Sequence, residues 1–137
     1  MAFCDAIDWE MLLNFDSNTA NQETLVFSLR ADGTGQVNVS TVKMSDLKWT
    51  CLQVGTTGQA KAKAILSFVF RFKRQGKEFG VMMAGFAHVN DVGRTTFRGR
   101  FRTCALDTKL PAAGGADLQI LTLGTPGDTG TGTGTQT

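Results

Sequence analysis

The sequence predicts an all-β chain: a single-domain antiparallel β-sandwich, jelly-roll-like or related, carrying a flexible C-terminal Gly/Thr tail. Three observations carry this expectation. Apolar and polar residues alternate with a period of two through most of the chain, the signature of strands with one face in a core. Gly is frequent at 16 and Pro scarce at 2, and turn signals recur every 8–12 residues or so, as in antiparallel sandwiches and barrels. The 137 residues are one domain's worth, enough for a core without disulfide staples.

The clearest run extends from Ala60 to Lys73. Ala60, Ala62, Ala64, Leu66, Phe68, Phe70 and Phe72 share one parity, and Lys61, Lys63, Arg71 and Lys73 share the other. Successive side chains of a strand point to opposite faces, so one face is apolar and the other is basic at both ends. Phe68, Phe70 and Phe72 are therefore expected in the core. Arg74-Gln75-Gly76-Lys77 is a polar turn. Phe79, Val81 and Met83 resume the alternation on a return strand that extends towards Val89.

The other elements follow in chain order. Phe3, Ala6, Ile7 and Met11 suit a helix by spacing, but Trp9, Met11, Leu13 and Phe15 alternate with Glu10 and Asn14, favouring a strand from Trp9 to Phe15 after, at most, a helical turn. Asp16-Ser17-Asn18-Thr19 is loop chemistry. Glu23 to Arg30 is a strand, followed by the hairpin signal Asp32-Gly33. A return strand runs from Val37 to about Met44, Asp46 opens a turn, and Leu47, Trp49 and Cys51 mark a further strand. Gly55 to Gly58 is a loop before the long run. Asn90 to Gly93 turns the chain into a strand from Thr95 to Ala105. Pro111 to Gly115 is a loop, and Asp117 to Leu123 is the expected last strand. The domain therefore covers residues 1–123. Residues 124–137 form a low-complexity tail, expected to be mobile and dispensable for folding because it has no apolar side chain to bury beyond the ring of Pro126.

The small net charge of +2 hides an uneven distribution. Between Ala60 and Arg102 stand ten Lys or Arg and two acids, a local balance of +8 that leaves −6 for the rest. A block of like charge is the footprint of an anionic partner or a solubilising sheet surface. Arg98, Arg100 and Arg102 share a parity, which places them roughly 6–7 Å apart on one face of one strand. Guanidinium groups match phosphate oxygens and stay charged at any working pH. Lys61, Lys63, Arg71, Lys73 and Arg94 add to the same field where their strands neighbour it. Phe97 and Phe101 fall on the opposite parity and belong to the core. This pattern points to phosphate contacts with RNA or DNA that tolerate any base sequence, while heparin-like polyanions, acidic protein surfaces and anionic lipid heads offer the same charge.

Catalytic and metal-binding sets are weakly supported. The single histidine, His88, and Cys104 make a conceivable nucleophile and base, but no third group orients them. Asp5, Asp8 and Glu10 lack the spacing of a calcium loop. No cofactor is implied, and nothing in the pattern names a small-molecule ligand. The three cysteines, Cys4, Cys51 and Cys104, have no C-x-x-C spacing. Free thiols in an intracellular compartment are the simplest expectation, with one disulfide left open as the alternative; the expected location is intracellular, extending to a virion. The N-terminal acids are wrong for a signal peptide, and no apolar run approaches the ~20 residues that span a bilayer.

At the level of class, a small sandwich with a basic face and a Gly/Thr tail resembles a viral or phage structural subunit. The resemblance implies a non-enzymatic coat-type protein that self-associates and turns its basic face to packaged nucleic acid. The alternative is a carbohydrate-binding, lectin-like sandwich. It has poor support because Tyr is absent and both Trp9 and Trp49 fall on apolar parities.

Overall fold

Alternation with a period of two dominates the structure, and eight antiparallel strands follow one another around a closed barrel. The computed structural model describes residues 4–16, 18–39, 42–54, 63–74, 77–89, 92–105 and 125–137. The strands are β1 (Trp9–Phe15), β2 (Asn18–Leu29), β3 (Thr34–Val39), β4 (Val42–Val54), β5 (Lys63–Arg74), β6 (Lys77–Val89), β7 (Thr95–Ala105) and β8 (Thr125–Gln136). Each strand pairs with its successor in the sequence, and β8 pairs back onto β1. There is no helix among the described residues, and hence none long and apolar enough to cross a membrane.

The two-sheet sandwich is thus corrected to a single closed sheet. The cause is β8. Its Thr129 to Thr135 segment alternates Gly and Thr, and with no apolar residue it reads as a tail. Yet it fills the gap between β7 and β1, pairing with both along its length. Closure removes the two free edges that an open seven-strand sheet would leave. The threonines turn outward and the glycines inward. Glycine is required inside because neighbouring strands already fill that space: a Cβ at Gly130 would strike the Phe101 ring, one at Gly132 Met83 Sδ, and one at Gly134 Met11 Sδ. Thr125–Gln136, within the stretch 124–137 expected as a mobile tail, is therefore the closing strand. The strand expected from Asp117 to Leu123 and the loop from Pro111 to Gly115 lie outside the described residues.

The barrel's interior is a packed core. Trp9, Met11 and Leu13 of β1, Leu25 and Phe27 of β2, and Leu66, Phe68 and Phe70 of β5 are fully buried. Trp9, Phe97, Phe68, Phe27 and Phe70 form one chain of ring contacts across the interior, with centroids 5.0–6.3 Å apart. Such tilted and edge-on pairs add to the stabilisation from area burial. Phe68 and Phe70 lie where the alternation places them; the Phe72 side chain lies outside the described residues.

The Asp32-Gly33 hairpin forms as expected. Gly33 has φ 88°, in the left-handed region that favours glycine. The Asp32 carboxylate accepts hydrogen bonds from Thr34 N at 3.0 Å and from Thr34 Oγ1 at 2.6 Å. These bonds favour the charged form and lower its pKa from the ordinary value. Asp46, by contrast, does not open a turn. It lies within β4, whose pairing with β3 slips near Gly35, and the chain reverses between Val39 and Val42 instead.

The preferred expectation of free thiols gives way to its alternative of one disulfide, formed by Cys4 and Cys51. Cys51 follows Leu47 and Trp49 on the inward parity of β4. Strands β1 and β4 are separated by β2 and β3 on one side of the ring and by β5 to β8 on the other. The segment before β1 must therefore cross the end of the barrel to reach Cys51, and both cysteines pack against the core there. The Cys104 side chain lies outside the described residues.

Candidate nucleic-acid interface

Strand β7 turns Phe97 and Phe101 inward, at 2% and 3% exposure, and leaves Arg98, Arg100 and Arg102 exposed on the outer face. The inward aromatics fix this parity: a one-residue slip would bury three guanidiniums. On one side Arg98, Arg100 and Arg102 face Thr133, Thr131 and Thr129 of β8. On the other they face Phe86, Ala84 and Met82 of β6. The arginines thus lie between a rail of hydroxyls and a rail of apolar side chains.

The three arginines are not equivalent. Arg100 reaches diagonally over β8 to Asp16, just past the end of β1, making an ion pair and a second contact from Nη1 to Asp16 Oδ1 at 3.3 Å. Thr129 Oγ1 donates to the same carboxylate at 2.8 Å. The hydrogen bond from Arg100, then that from Thr129, holds the Asp16 pKa below the ordinary carboxylate value. Arg98 and Arg102 have no carboxylate partner among the described residues.

The other basic residues are spread more widely than the sequence pattern suggested. Lys63 is exposed on β5, directly opposite His88 of β6, and so two strands, or roughly 10 Å, from β7. Arg94 stands just before β7, and Arg71 is level with Gly80 and Cys104; both already have interaction partners. Lys73 is in β5, but its side chain lies outside the described residues, as does all of Lys61. The structure therefore brings together Arg98, Arg100 and Arg102, with Arg94 and Lys63 at the margin.

A trough of about 900 Å³ crosses the outer face of β8. Thr133 and Thr135 form its floor, Glu10 and Leu12 of β1 one wall, and Arg94 and Arg98 the other. It exists because the threonines of β8 are shorter than the side chains that flank them.

Neither catalytic nor metal chemistry is assembled where the sequence offered candidates. Cys104 pairs with Gly80, and His88 lies eight residues along β6, so their backbones are roughly 27 Å apart. Among the described residues no three His, Cys, Asp or Glu side chains cluster as a metal site.

One feature of this face escapes the reading of charge alone: Phe79, Val81 and Met83 already assign odd positions of this strand to the core, so parity alone turns Phe86 outward. Asp16 is, with Asp5 and Asp8, among the acids that the sequence offers to neutralise the β7 arginines within the chain, and the structure pairs it with Arg100, which counts against a fully free basic face. Comparison with protein-family models, with curated proteins and with solved structures returned no match.

Proposed function

We propose that the chain is a non-enzymatic, coat-type binding subunit whose β7 face takes the phosphates of a nucleic acid. One observation carries this reading. Arg98 and Arg102 project from the same exposed face, four residues apart, with no carboxylate to neutralise them among the described residues. That spacing is roughly 13 Å along the strand, and the threonine hydroxyls of β8 add hydrogen-bond donors beside it. Phosphate contacts of this kind position a nucleic acid without reading its bases.

The filled interior favours this reading over one in which the barrel encloses a small ligand. The sugar-binding alternative has no exposed Trp or Tyr to stack on, since both tryptophans are buried and Tyr is absent. A coat role further requires copies of the chain to associate, which light scattering behind a size-exclusion column measures. Among the expected compartments, the Cys4–Cys51 disulfide favours a virion over the reducing cytoplasm.

The test is salt-dependent binding of RNA or DNA oligonucleotides. Two free arginines on a single strand give a log–log slope of about −1.4, from about −0.7 per phosphate contact. Replacing Arg98 and Arg102 together with Gln should remove most of that slope and weaken every sequence equally. Absence of salt-sensitive binding to any polyanion at low ionic strength overturns the proposal.

A further inference from the structure

The outer surface of the barrel is not evenly polar. Among the described residues, six of the eight exposed large apolar side chains lie on adjoining strands β4, β5 and β6: Leu52, Val54, Ile65, Met82, Phe86 and Val89. Contiguous exposed apolar surface is a mark of a binding site, whereas scattered single residues are not. Leu52, Ile65 and Phe86 form one cross-strand row, and the row ends on Arg98. Phe86 is the exposed aromatic of that row, at 55%.

The relation of this surface to the arginines decides what it fits. Phe86 is directly opposite Arg98, and Met82, at 42% exposure, is directly opposite Arg102. Small Ala84 stands between them, opposite Arg100. An apolar rail therefore runs beside the guanidinium rail, one strand spacing away, or about 4.8 Å. A nucleotide has the same two parts side by side, an anionic phosphate and a flat apolar base. In a duplex the bases are paired and stacked inside, so only a single strand can lay its bases on the rail.

We infer that the outer face of β6, Phe86 flanked by Ala84 and Met82, is a base platform, and that the ligand of this face is single-stranded nucleic acid. The inference rests on the phosphate-binding reading of Arg98 and Arg102 and adds Phe86 as a ligand-contacting residue. A single strand follows β7, with phosphates on Arg98 and Arg102 and a base stacked on the Phe86 ring. Stacking accepts any base, so the face remains tolerant of sequence while discriminating single strands from duplex.

The experiment compares the full chain with Phe86→Ala, Phe86→Trp and the Arg98→Gln/Arg102→Gln double variant. The probes are a thymidine oligonucleotide, a blunt DNA duplex, and phosphatidylserine vesicles. Phe86→Ala should weaken oligonucleotide binding by about 5- to 150-fold, the range of one lost base stack. Its salt slope and duplex binding should stay unchanged. Phe86→Trp should restore the affinity, with its added indole emission quenched by the oligonucleotide. If Phe86→Ala binds the oligonucleotide as the parent does, the platform is wrong while the phosphate reading stands. If only vesicle binding, or only self-association by light scattering, responds to Phe86→Ala, the row belongs to a lipid surface or a second copy, and the inference fails. If the parent binds neither nucleic acid at low salt, both readings fail together.

Discussion

Asp16 holds Arg100 across the closing strand, with the Thr129 hydroxyl donating to the same carboxylate. The contact joins residues 84 positions apart in sequence. It takes the central arginine of β7 out of the free basic face and ties the end of β1 to β7 over β8.

Neutralising Asp16 should release that arginine. Asp16→Asn is expected to strengthen polyanion binding and to steepen the salt slope by about 0.7, one further phosphate contact. Oligonucleotide titrations at several salt concentrations measure this. An unchanged slope would mean that Arg100 is turned away from the ligand path.

The same pair sets a pH dependence of stability. The pKa of Asp16 is lowered in the folded chain, so its contribution is complete above the ordinary aspartate value of about 3.9. It is lost as pH falls from there through the depressed folded value. Parent and Asp16→Asn melting curves should therefore differ by a constant amount above about pH 5 and converge in strong acid. The difference should be small, because both groups are well exposed, at 60% and 46% for Arg100 and Asp16.

Removing Thr125 to Thr137 should abolish the cooperative melt. Without β8, both β1 and β7 lose a hydrogen-bonded neighbour, and the Phe101 ring and the Met11 and Met83 side chains lose the glycine backbone packed against them. Circular dichroism during heating checks this. A synthetic peptide of residues 125–137 added to the truncated chain should restore the transition. A melting temperature within a few degrees of the parent would show that closure is not needed.

The disulfide closes a loop of 47 residues. Loop entropy for that length is about 4 kcal/mol, and measured effects commonly fall to about 2. Cys4→Ala, Cys51→Ala and reduction of the parent should each lower the unfolding free energy obtained from urea titration by an amount in this range. Circular dichroism before denaturation should show the barrel intact.

Phe70 and Phe86 provide a contrast of faces. Phe70 is fully buried with its ring 5.0 Å from that of Phe27, so Phe70→Ala should cost about 3–5 kcal/mol through loss of apolar burial and the cavity left. Phe86→Ala should change stability by less than about 1 kcal/mol, because the ring is largely in solvent. Urea titrations of both variants decide whether inward and outward parities are assigned correctly.

Much of the barrel can be read from alternation. The boundaries of β1 and β7 coincide with the expected strands Trp9–Phe15 and Thr95–Ala105: in β1 every second residue is large and apolar between Asp8 and Asp16, and in β7 Phe97 and Phe101 alternate with the three arginines after the turn-forming Gly93. The same parity put Phe97 and Phe101 inside and the three arginines outside. Asp46 misled because a lone Asp disfavours a strand only by propensity, and pairing of β4 with β3 and β5 outweighs that. Strand β8 was not legible, because its interior face is defined by side chains that belong to other strands. A glycine opposite Met11, Met83 or Phe101 has meaning only once those residues surround it. With β8 read as a tail, the closed topology could not be derived, nor which of the candidate acids Asp5, Asp8 and Asp16 meets which arginine.

The repeat in β8 has a consequence for how the barrel is sealed. From Thr129 to Thr135 a two-residue slide replaces each Gly with Gly and each Thr with Thr, a displacement of about 6.8 Å. Within the repeat, the ladder to β1 and β7 is nearly indifferent to such a step. Alignment must then be encoded at the ends of the seam. At one end Thr129 is fastened to Asp16. At the other, the Thr137 N–H donates to Asp8 O at 2.9 Å, and its hydroxyl donates to the same oxygen at 3.1 Å. Gln136, buried opposite Trp9, blocks a slide in one direction because its side chain would enter the space that Gly134 leaves for Met11. The seam works like a zip whose teeth are interchangeable and whose two end stops alone determine where it closes.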